Sequence, residues 1–179
     1  WKETFPKYLP VSVHAAHDGN FLYLLYRVKG EILRTVNNKD FMSVWEDSCV
    51  EFFMQRQGEK TYRNFECNAN GVLLAAIHES REKAEKLSPD EMASITRHAS
   101  IQHYYEGKKE VSDWTLYLEI PKQTMGFSAE ETLSGKKIKA NFYKCGDKTE
   151  EPHFLSWSPI DTPEPDFHVP SFFGLLEME

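Results

Sequence analysis

The chain has 179 residues, enough for one domain with a well-buried core, and its 40% hydrophobic and 27% charged residues are typical of a globular protein. No stretch approaches the roughly 20 consecutive apolar residues of a membrane-spanning helix, so the sequence predicts no membrane span. With 21 basic and 28 acidic residues the formal charge is −7, and the basic residues form no long cluster, which excludes nucleic acid as the expected partner.

Short segments in which apolar and polar residues alternate recur between turn signals, the period-2 pattern of strands with one face in a core. The predicted strands are residues 21–28, 32–36, 48–54, 63–68, 72–78, 95–104, 114–120 and 138–144. Asn70-Gly71 lies between two of them and is a hairpin signal, because both residues tolerate a positive φ. We therefore expect an all-β fold, a β-sandwich of two antiparallel sheets, forming a single domain over residues 1–179.

One or two short helices are expected between the strands. Ser88-Pro89-Asp90-Glu91 has a capping Ser, a Pro at the first helical position and a Glu three residues after the cap, which predicts a helix from about Pro89. Ser128-Ala129-Glu130-Glu131 repeats the capping pattern and predicts a second one. Residues 150–170 include five prolines, and we expect a folded loop that packs over a sheet edge or a ligand-binding face.

The three cysteines, Cys49, Cys67 and Cys145, are far apart in sequence and form no Cys-x-x-Cys pair. Their spacing predicts neither a disulfide framework nor a zinc knuckle, so all three thiols are expected to be free. The sequence begins at Trp1 without Met or an apolar leader, from which we expect that an upstream segment was removed.

Two neighbouring predicted strands direct polar side chains to one surface. In an extended segment 48–54, Val50 and Phe52 lie on one face and Glu51 on the other. In segment 63–68 the apolar residues likewise alternate with polar ones, so that one surface receives Glu51, Asn64, Glu66 and Asn68. Amides and carboxylates together match the donors and acceptors of vicinal hydroxyls, as a sugar site requires. A solvated sheet face is the alternative for the same spacing.

Four segments carry a resemblance to a known family: WEDSCVEFF at 45–53, NFECNANG at 64–71, HFLSWSP at 153–159 and PDFHVPSFFG at 165–174. In this order they resemble the family 9 carbohydrate-binding modules, and the similarity extends through almost the entire chain. The resemblance implies a β-sandwich of the DOMON-like group that binds a sugar between two tryptophans. It also implies an association with polysaccharide degradation, with a glycoside hydrolase or a glycan-uptake system as partner, and an extracytoplasmic location.

Matched by motif, Trp45 and Trp157 occupy the positions of the tryptophan pair, and Glu51 that of a carboxylate that binds sugar hydroxyls. Arg34 and Lys144 resemble basic members of the same site. The stacking role is physically sound, because a pyranose presents a face of C–H groups that a flat indole can desolvate. Trp157 has a structural alternative, which is to hold the proline-rich loop in place. Trp114 alternates in phase with apolar residues and is expected in the core.

The sequence leaves three other functions open. Glu51 and Glu66 on adjacent strands could serve as the carboxylate pair of a glycoside hydrolase acting on O-glycosyl compounds. A haem or electron-transfer role, known among DOMON relatives, would need a Met/His ligand pair. A protein-interaction module is the third alternative.

No cofactor is required by any motif in the chain. The family resemblance allows structural calcium, for which two groups could supply oxygen ligands. These are the turn at residues 18–20 and the acidic residues Asp161, Glu164 and Asp166.

Overall fold

The computed structural model describes all residues from Trp1 to Glu179. The strands in chain order are β1 Val11–His17, β2 Phe21–Glu31, β3 Cys49–Arg56, β4 Tyr62–Asn68, β5 Leu73–His78, β6 Ala84–Lys86, β7 Thr96–Glu106, β8 Lys109–Pro121, β9 Lys137–Cys145, β10 Phe154–Ser156 and β11 Gly174–Glu177. The helical elements are α1 Pro89–Ser94 and two single 3₁₀ turns, Val44–Glu46 and Pro170–Phe172. None of these helices has the length and apolar character needed to cross a membrane.

The strands form two antiparallel sheets, which confirms the predicted β-sandwich. The first sheet has the order β1-β2-β8-β7, and the second has the order β10-β9-β3-β4-β5-β6, with β11 also paired to β9. The Asn70-Gly71 hairpin is confirmed, because β4 and β5 are antiparallel neighbours in which Cys67 lies opposite Leu73.

The main core lies between the sheets and is built from the inward-facing positions of both. In β2 the buried residues Leu22 and Leu24 alternate with partly exposed ones, as expected for a strand with one face in a core. The second sheet contributes Val50 and Phe52, as their phase in the sequence predicts. Trp114 is also in this core, 1% exposed, and its indole N–H donates to the Glu31 carboxylate at 2.7 Å.

The outer face of the second sheet is covered as well. A second apolar cluster there includes Phe53, Tyr62 and Tyr143 from the strands and Phe167 from the proline-rich segment. The Phe167 ring stacks on Tyr143 with a centroid distance of 4.0 Å and an interplanar angle of 3°. The segment thus packs over a sheet face, as expected, and the space that it leaves uncovered is a pocket.

The first predicted helix is confirmed and the second is wrong. At α1 the Ser88 hydroxyl accepts from the Glu91 backbone N–H, and the Glu91 carboxylate accepts from that of Ser88. Around Ser128 only a turn forms, although the Glu131 carboxylate accepts from the Ser128 backbone N–H at 2.8 Å. The Lys122 ammonium donates to the backbone carbonyls of Ala129 and Glu131, which a continuing helix would use internally.

The strand predicted over residues 32–36 is also wrong, because the segment crosses between the sheets without pairing as a strand. The Asp47 carboxylate accepts hydrogen bonds from the backbone N–H groups of Val36 and Asn37, so these donors need no neighbouring strand. Four short or edge strands, β1, β6, β10 and β11, were not predicted. Of these, β6, β10 and β11 have only three or four residues, too few to show an alternation.

Candidate functional site

A pocket of about 350 Å³ opens on the outer face of the second sheet. Outward-facing residues of β3 to β6 form part of it, and the loops around them supply the rest. Its aromatic, polar and charged lining residues are Trp45, Glu51, Asn64, Glu66, His78, Arg81, Lys86, Asp147 and His168. Four of the sequence-predicted residues, Trp45, Glu51, Asn64 and Glu66, are therefore brought together.

Strand register places the two glutamates side by side, since Glu51 of β3 lies directly opposite Glu66 of β4. Asn64 fixes the Glu66 side chain, because its amide N–H donates to Glu66 Oε1 at 2.7 Å. The Asn64 amide oxygen in turn accepts from the Ala76 backbone N–H at 2.9 Å. Asn64 therefore positions a carboxyl group and is itself held by the next strand.

Burial controls the charge of these carboxyl groups. It raises the pKa of Glu66 to about 8, against the lowering effect of the Asn64 hydrogen bond and with a further rise from Asp147. Burial also raises the pKa of Glu51, to which the Cys145 thiol and Glu66 add. Glu51 and Glu66 form the floor of the pocket. At neutral pH this floor thus holds at least one protonated carboxyl group, which can donate as well as accept a hydrogen bond.

Two buried polar atoms of the pocket have no hydrogen-bond partner within the protein, namely Glu66 Oε2 and His78 Nε2. His78 Nδ1 lies 3.1 Å from the Ser80 carbonyl oxygen, so Nδ1 carries the proton and Nε2 is an acceptor. Burial lowers the pKa of His78, which keeps the ring neutral. A buried polar atom without a partner costs about 1–3 kcal/mol, so a ligand that supplies these partners is favoured.

Trp45 contributes an indole that is 36% exposed. It lies in the 3₁₀ turn Val44–Glu46, just before β3, and its carbonyl oxygen accepts from the Asp147 backbone N–H at 3.1 Å. Behind this turn the Asp47 carboxylate binds Arg34 and, at 3.0 Å, the Asn68 amide. Asp47 is fully buried, so these bonds fix the backbone that carries the indole.

His168 contributes a second flat ring and comes from the proline-rich segment. It packs edge-on against Phe53 at a centroid distance of 5.0 Å, and its Nδ1 is 2.9 Å from the Tyr62 hydroxyl. Burial, together with the nearby His78 and Arg81, lowers the pKa of His168 to about 4. The ring is therefore uncharged at neutral pH and can pack against an apolar surface.

Arg34 and Asn68, which the sequence predicted as ligand-binding residues, lie behind the pocket. Arg34 is paired with Asp47, and the fully buried Asn68 amide donates to the Asn37 carbonyl oxygen at 2.8 Å and to Asp47. Asn68 lies on the predicted face of β4, but the loop before β3 covers its side chain. The structure gives both residues a part in supporting Trp45.

Lys144 is not brought to the pocket, because its place on β9 directs it to the inner side of the sheet. It is 1% exposed, and its ammonium donates to Glu31 Oε1 at 2.8 Å and to His153 Nε2 at 2.7 Å. His153 Nδ1 lies 2.8 Å from the Glu151 carbonyl oxygen and carries the proton, which leaves Nε2 to accept. This set is a buried structural network.

Trp157 does not share the pocket with Trp45, contrary to the paired arrangement that the resemblance implied. Its ring packs edge-on against the core residue Phe142 at a centroid distance of 5.7 Å and lies next to Gly174. It is 51% exposed and lines a separate, mostly apolar hollow near β1 and β10, together with Trp1 and Tyr8. The loop-holding alternative agrees with these contacts.

Five pocket residues were not predicted from the sequence: His78, Arg81, Lys86, Asp147 and His168. His78 could have been found, because the Asn70-Gly71 hairpin fixes the register of β5 and places His78 opposite Tyr62. The others come from short edge or irregular segments, where no alternation indicates which way a side chain points.

All three cysteines are free and buried, as expected. Although they are far apart in sequence, Cys145 and Cys49 are directly opposite each other on β9 and β3. The Cys145 thiol donates to Glu51 Oε1 at 3.0 Å, just beneath the pocket.

In the two groups considered for calcium, Asp18 and Asp166 have carboxylate oxygens that are engaged by protein donors. The Asp18 carboxylate accepts from the backbone N–H groups of Asn20 and Phe21, and Asp166 accepts from the His168 N–H and pairs with Arg81. Structural calcium stays a prediction.

Comparison with known proteins gives consistent matches. The model of carbohydrate-binding family 9 matches residues 1–178. A crystal structure from Bacteroides uniformis, of a protein described as carbohydrate-binding without a stated ligand, is 41% identical, with 100% of this chain and 82% of that chain covered and a TM-score of 0.89. A family 9 module from Caldicellulosiruptor kristjanssonii, solved with glucose, is 12% identical, with 97% and 78% covered and a TM-score of 0.59, which shows a shared fold. No curated protein gave a match.

Proposed function

The chain belongs to carbohydrate-binding family 9, and from this premise we propose that its pocket binds a mono- or disaccharide without cleaving it. The ligand would lie on the exposed indole of Trp45 and exchange hydrogen bonds with the floor. The observation that carries this proposal is the combination of a half-buried indole with two unpartnered buried polar atoms, Glu66 Oε2 and His78 Nε2, in one pocket.

The chemistry of the pocket matches a hydroxyl-rich ligand. A hydroxyl group can donate a hydrogen bond to the His78 Nε2 acceptor. Another hydroxyl can either donate to Glu66 or accept from it, because a protonated carboxyl is both donor and acceptor. Asp147 adds an acceptor, while Arg81 and Lys86 add donors at the rim. The uncharged His168 and the indole of Trp45 provide apolar surface for the C–H faces of the ring.

The size of the pocket favours a small ligand. A volume of about 350 Å³ is at the lower end of the range for small-molecule sites. A disaccharide of about 23 heavy atoms at roughly −0.3 kcal/mol per atom would bind with at best about −7 kcal/mol, a Kd near 10 μM. Glucose, the ligand of the Caldicellulosiruptor kristjanssonii module, is a suitable first probe.

The proposal includes a setting for this binding. We infer an extracytoplasmic location and an association with polysaccharide degradation, in which the module would hold a glycoside hydrolase or an uptake protein near its glycan. Family membership supports this setting.

A glycan array followed by calorimetry on the purified chain tests the proposal. We expect micromolar to millimolar binding of a small set of related sugars and no release of product from any of them. Turnover of a bound glycan that Glu51→Gln or Glu66→Gln abolishes would instead identify a glycoside hydrolase. If no sugar binds across a broad panel, the pocket is not a carbohydrate site.

A further inference from the structure

Three potential metal ligands meet on the outer face of the second sheet, beneath the sugar pocket. Cys49 and Glu51 are two residues apart on β3 and so point to the same side of the sheet. Cys145 is the last residue of β9 and lies directly opposite Cys49 in the strand register. Two strands that are far apart in sequence thus bring two thiols and a carboxyl group to one place.

The geometry of these groups suits a single ion. The two sulfur atoms and a Glu51 carboxylate oxygen all lie within 4.8 Å of one another, and Cys145 Sγ is 3.0 Å from Glu51 Oε1. In a tetrahedral zinc site with Zn–S distances of about 2.3 Å, two sulfur ligands are about 3.8 Å apart. Only small side-chain rotations are therefore needed to point the three atoms at a common centre.

The type of ligand selects the type of metal. Thiolates are soft ligands and favour Zn²⁺ and similar thiophilic ions, whereas calcium requires six to eight oxygen ligands. The residues are at most 3% exposed, which excludes competing water from most of the site. Glu51 nevertheless lines the pocket, so an ion has a route in, and a fourth coordination position can face the pocket.

We propose that Cys49, Glu51 and Cys145 form a binding site for a thiophilic divalent cation such as Zn²⁺, with its fourth position open to the pocket. On binding, the two thiol protons are released to solvent, together with the Glu51 proton where that group is protonated. No protein bond is broken and no redox change occurs. The two positive charges of the ion then face three negative charges, from two thiolates and one carboxylate, so the loaded site has a net charge of −1.

Cadmium and zinc titrations of the reduced, chelator-treated protein test this site. Cd²⁺ should produce the ultraviolet charge-transfer band of a metal thiolate at one ion per chain. Excess Zn²⁺ should displace the Cd²⁺ and reduce this band. Cys49→Ser and Cys145→Ser should each weaken the binding of either ion by at least about 100-fold, since each removes a direct ligand. Cys67→Ser is the matched control, because Cys67 is equally buried but faces the core between the sheets, and it should bind the ions like the wild type.

X-ray absorption of the zinc-loaded wild type keeps the test independent of how the variants fold. We expect two sulfur ligands at about 2.3 Å, with lighter atoms completing the coordination. Absence of the cadmium band, or a spectrum with no sulfur ligand, would overturn the proposal. So would a band that survives in the folded Cys49→Ser and Cys145→Ser variants. Sugar binding is measured separately on metal-free protein, so a failure of this site is distinct from a failure of the proposed function.

Discussion

Replacing Trp45 with alanine should weaken sugar binding by about 30-fold. The indole is 36% exposed, so of a tryptophan surface of roughly 250 Å² about 90 Å² is available to a ligand. At about 25 cal/mol per Å² this area contributes about 2 kcal/mol. Because the rest of the residue is buried, the substitution should also lower the free energy of unfolding, so binding is measured under conditions in which both proteins are folded.

Isothermal titration calorimetry with glucose and the sugars found by the array measures this change. Trp157→Ala is the matched control, since Trp157 is also partly exposed but lines a different hollow. It should change the Kd by less than about twofold, and Trp45→Phe, which keeps a flat ring, should fall between the wild type and Trp45→Ala.

The opposite ranking would refute the reasoning. If Trp157→Ala weakens binding and Trp45→Ala does not, the sugar binds near β1 and β10, and the pocket has another role. If both variants weaken binding by similar factors, the ligand reaches two surfaces that the fold keeps apart, and a larger glycan must be involved.

Three further predictions concern the stability of the fold and the support of the site. Burial alone would raise the pKa of Glu31, but Lys144 and His153 bring it from 4.5 down to about 2, so this carboxylate stabilises the fold fully above about pH 4.5. Roughly 3 kcal/mol should be lost as the pH falls from 4.5 to 2, and urea unfolding of Glu31→Gln should show a flatter pH dependence over that range. Asp47→Ala should weaken sugar binding, because the turn that carries Trp45 would be displaced. Crystal structures or tryptophan fluorescence would reveal this displacement, and an unchanged Kd would contradict the role of Asp47 in positioning Trp45. Phe167→Ala should cost about 3 kcal/mol in thermal or urea unfolding, because its ring stacks on Tyr143, and a loss below about 1 kcal/mol would contradict the packing argument.

The parts of the site that depend on strand alternation could be predicted from the sequence. The period of two predicts the inward positions of β3 and β4, and it places Glu51, Asn64 and Glu66 on the opposite faces of their strands. The separation of Trp157 from Trp45 could not be predicted in this way, because Trp157 belongs to a loop whose path is set by packing against Phe142.

Contacts that depend on strand order also could not be predicted from the sequence. Cys49 and Cys145 are neighbours because β9 pairs with β3, and no local pattern specifies that pairing. The segment 32–36 has the composition of a strand, yet its Arg34 N–H donates to the Ser48 hydroxyl and its Val36 N–H donates to the Asp47 carboxylate. A local signal thus predicted the face of a strand better than its partners.

The strand order also has a consequence for biosynthesis. The first sheet joins β2 to β8 and the second joins β3 to β9, so each sheet needs strands from both halves of the chain. Neither half can complete a sheet while it emerges from the ribosome, and the N-terminal half must wait until β9 has been translated. Because such non-local pairings are slow to form, the apolar strands β2 and β3 stay exposed in the nascent chain. We therefore expect the chain to be most prone to aggregation during that interval.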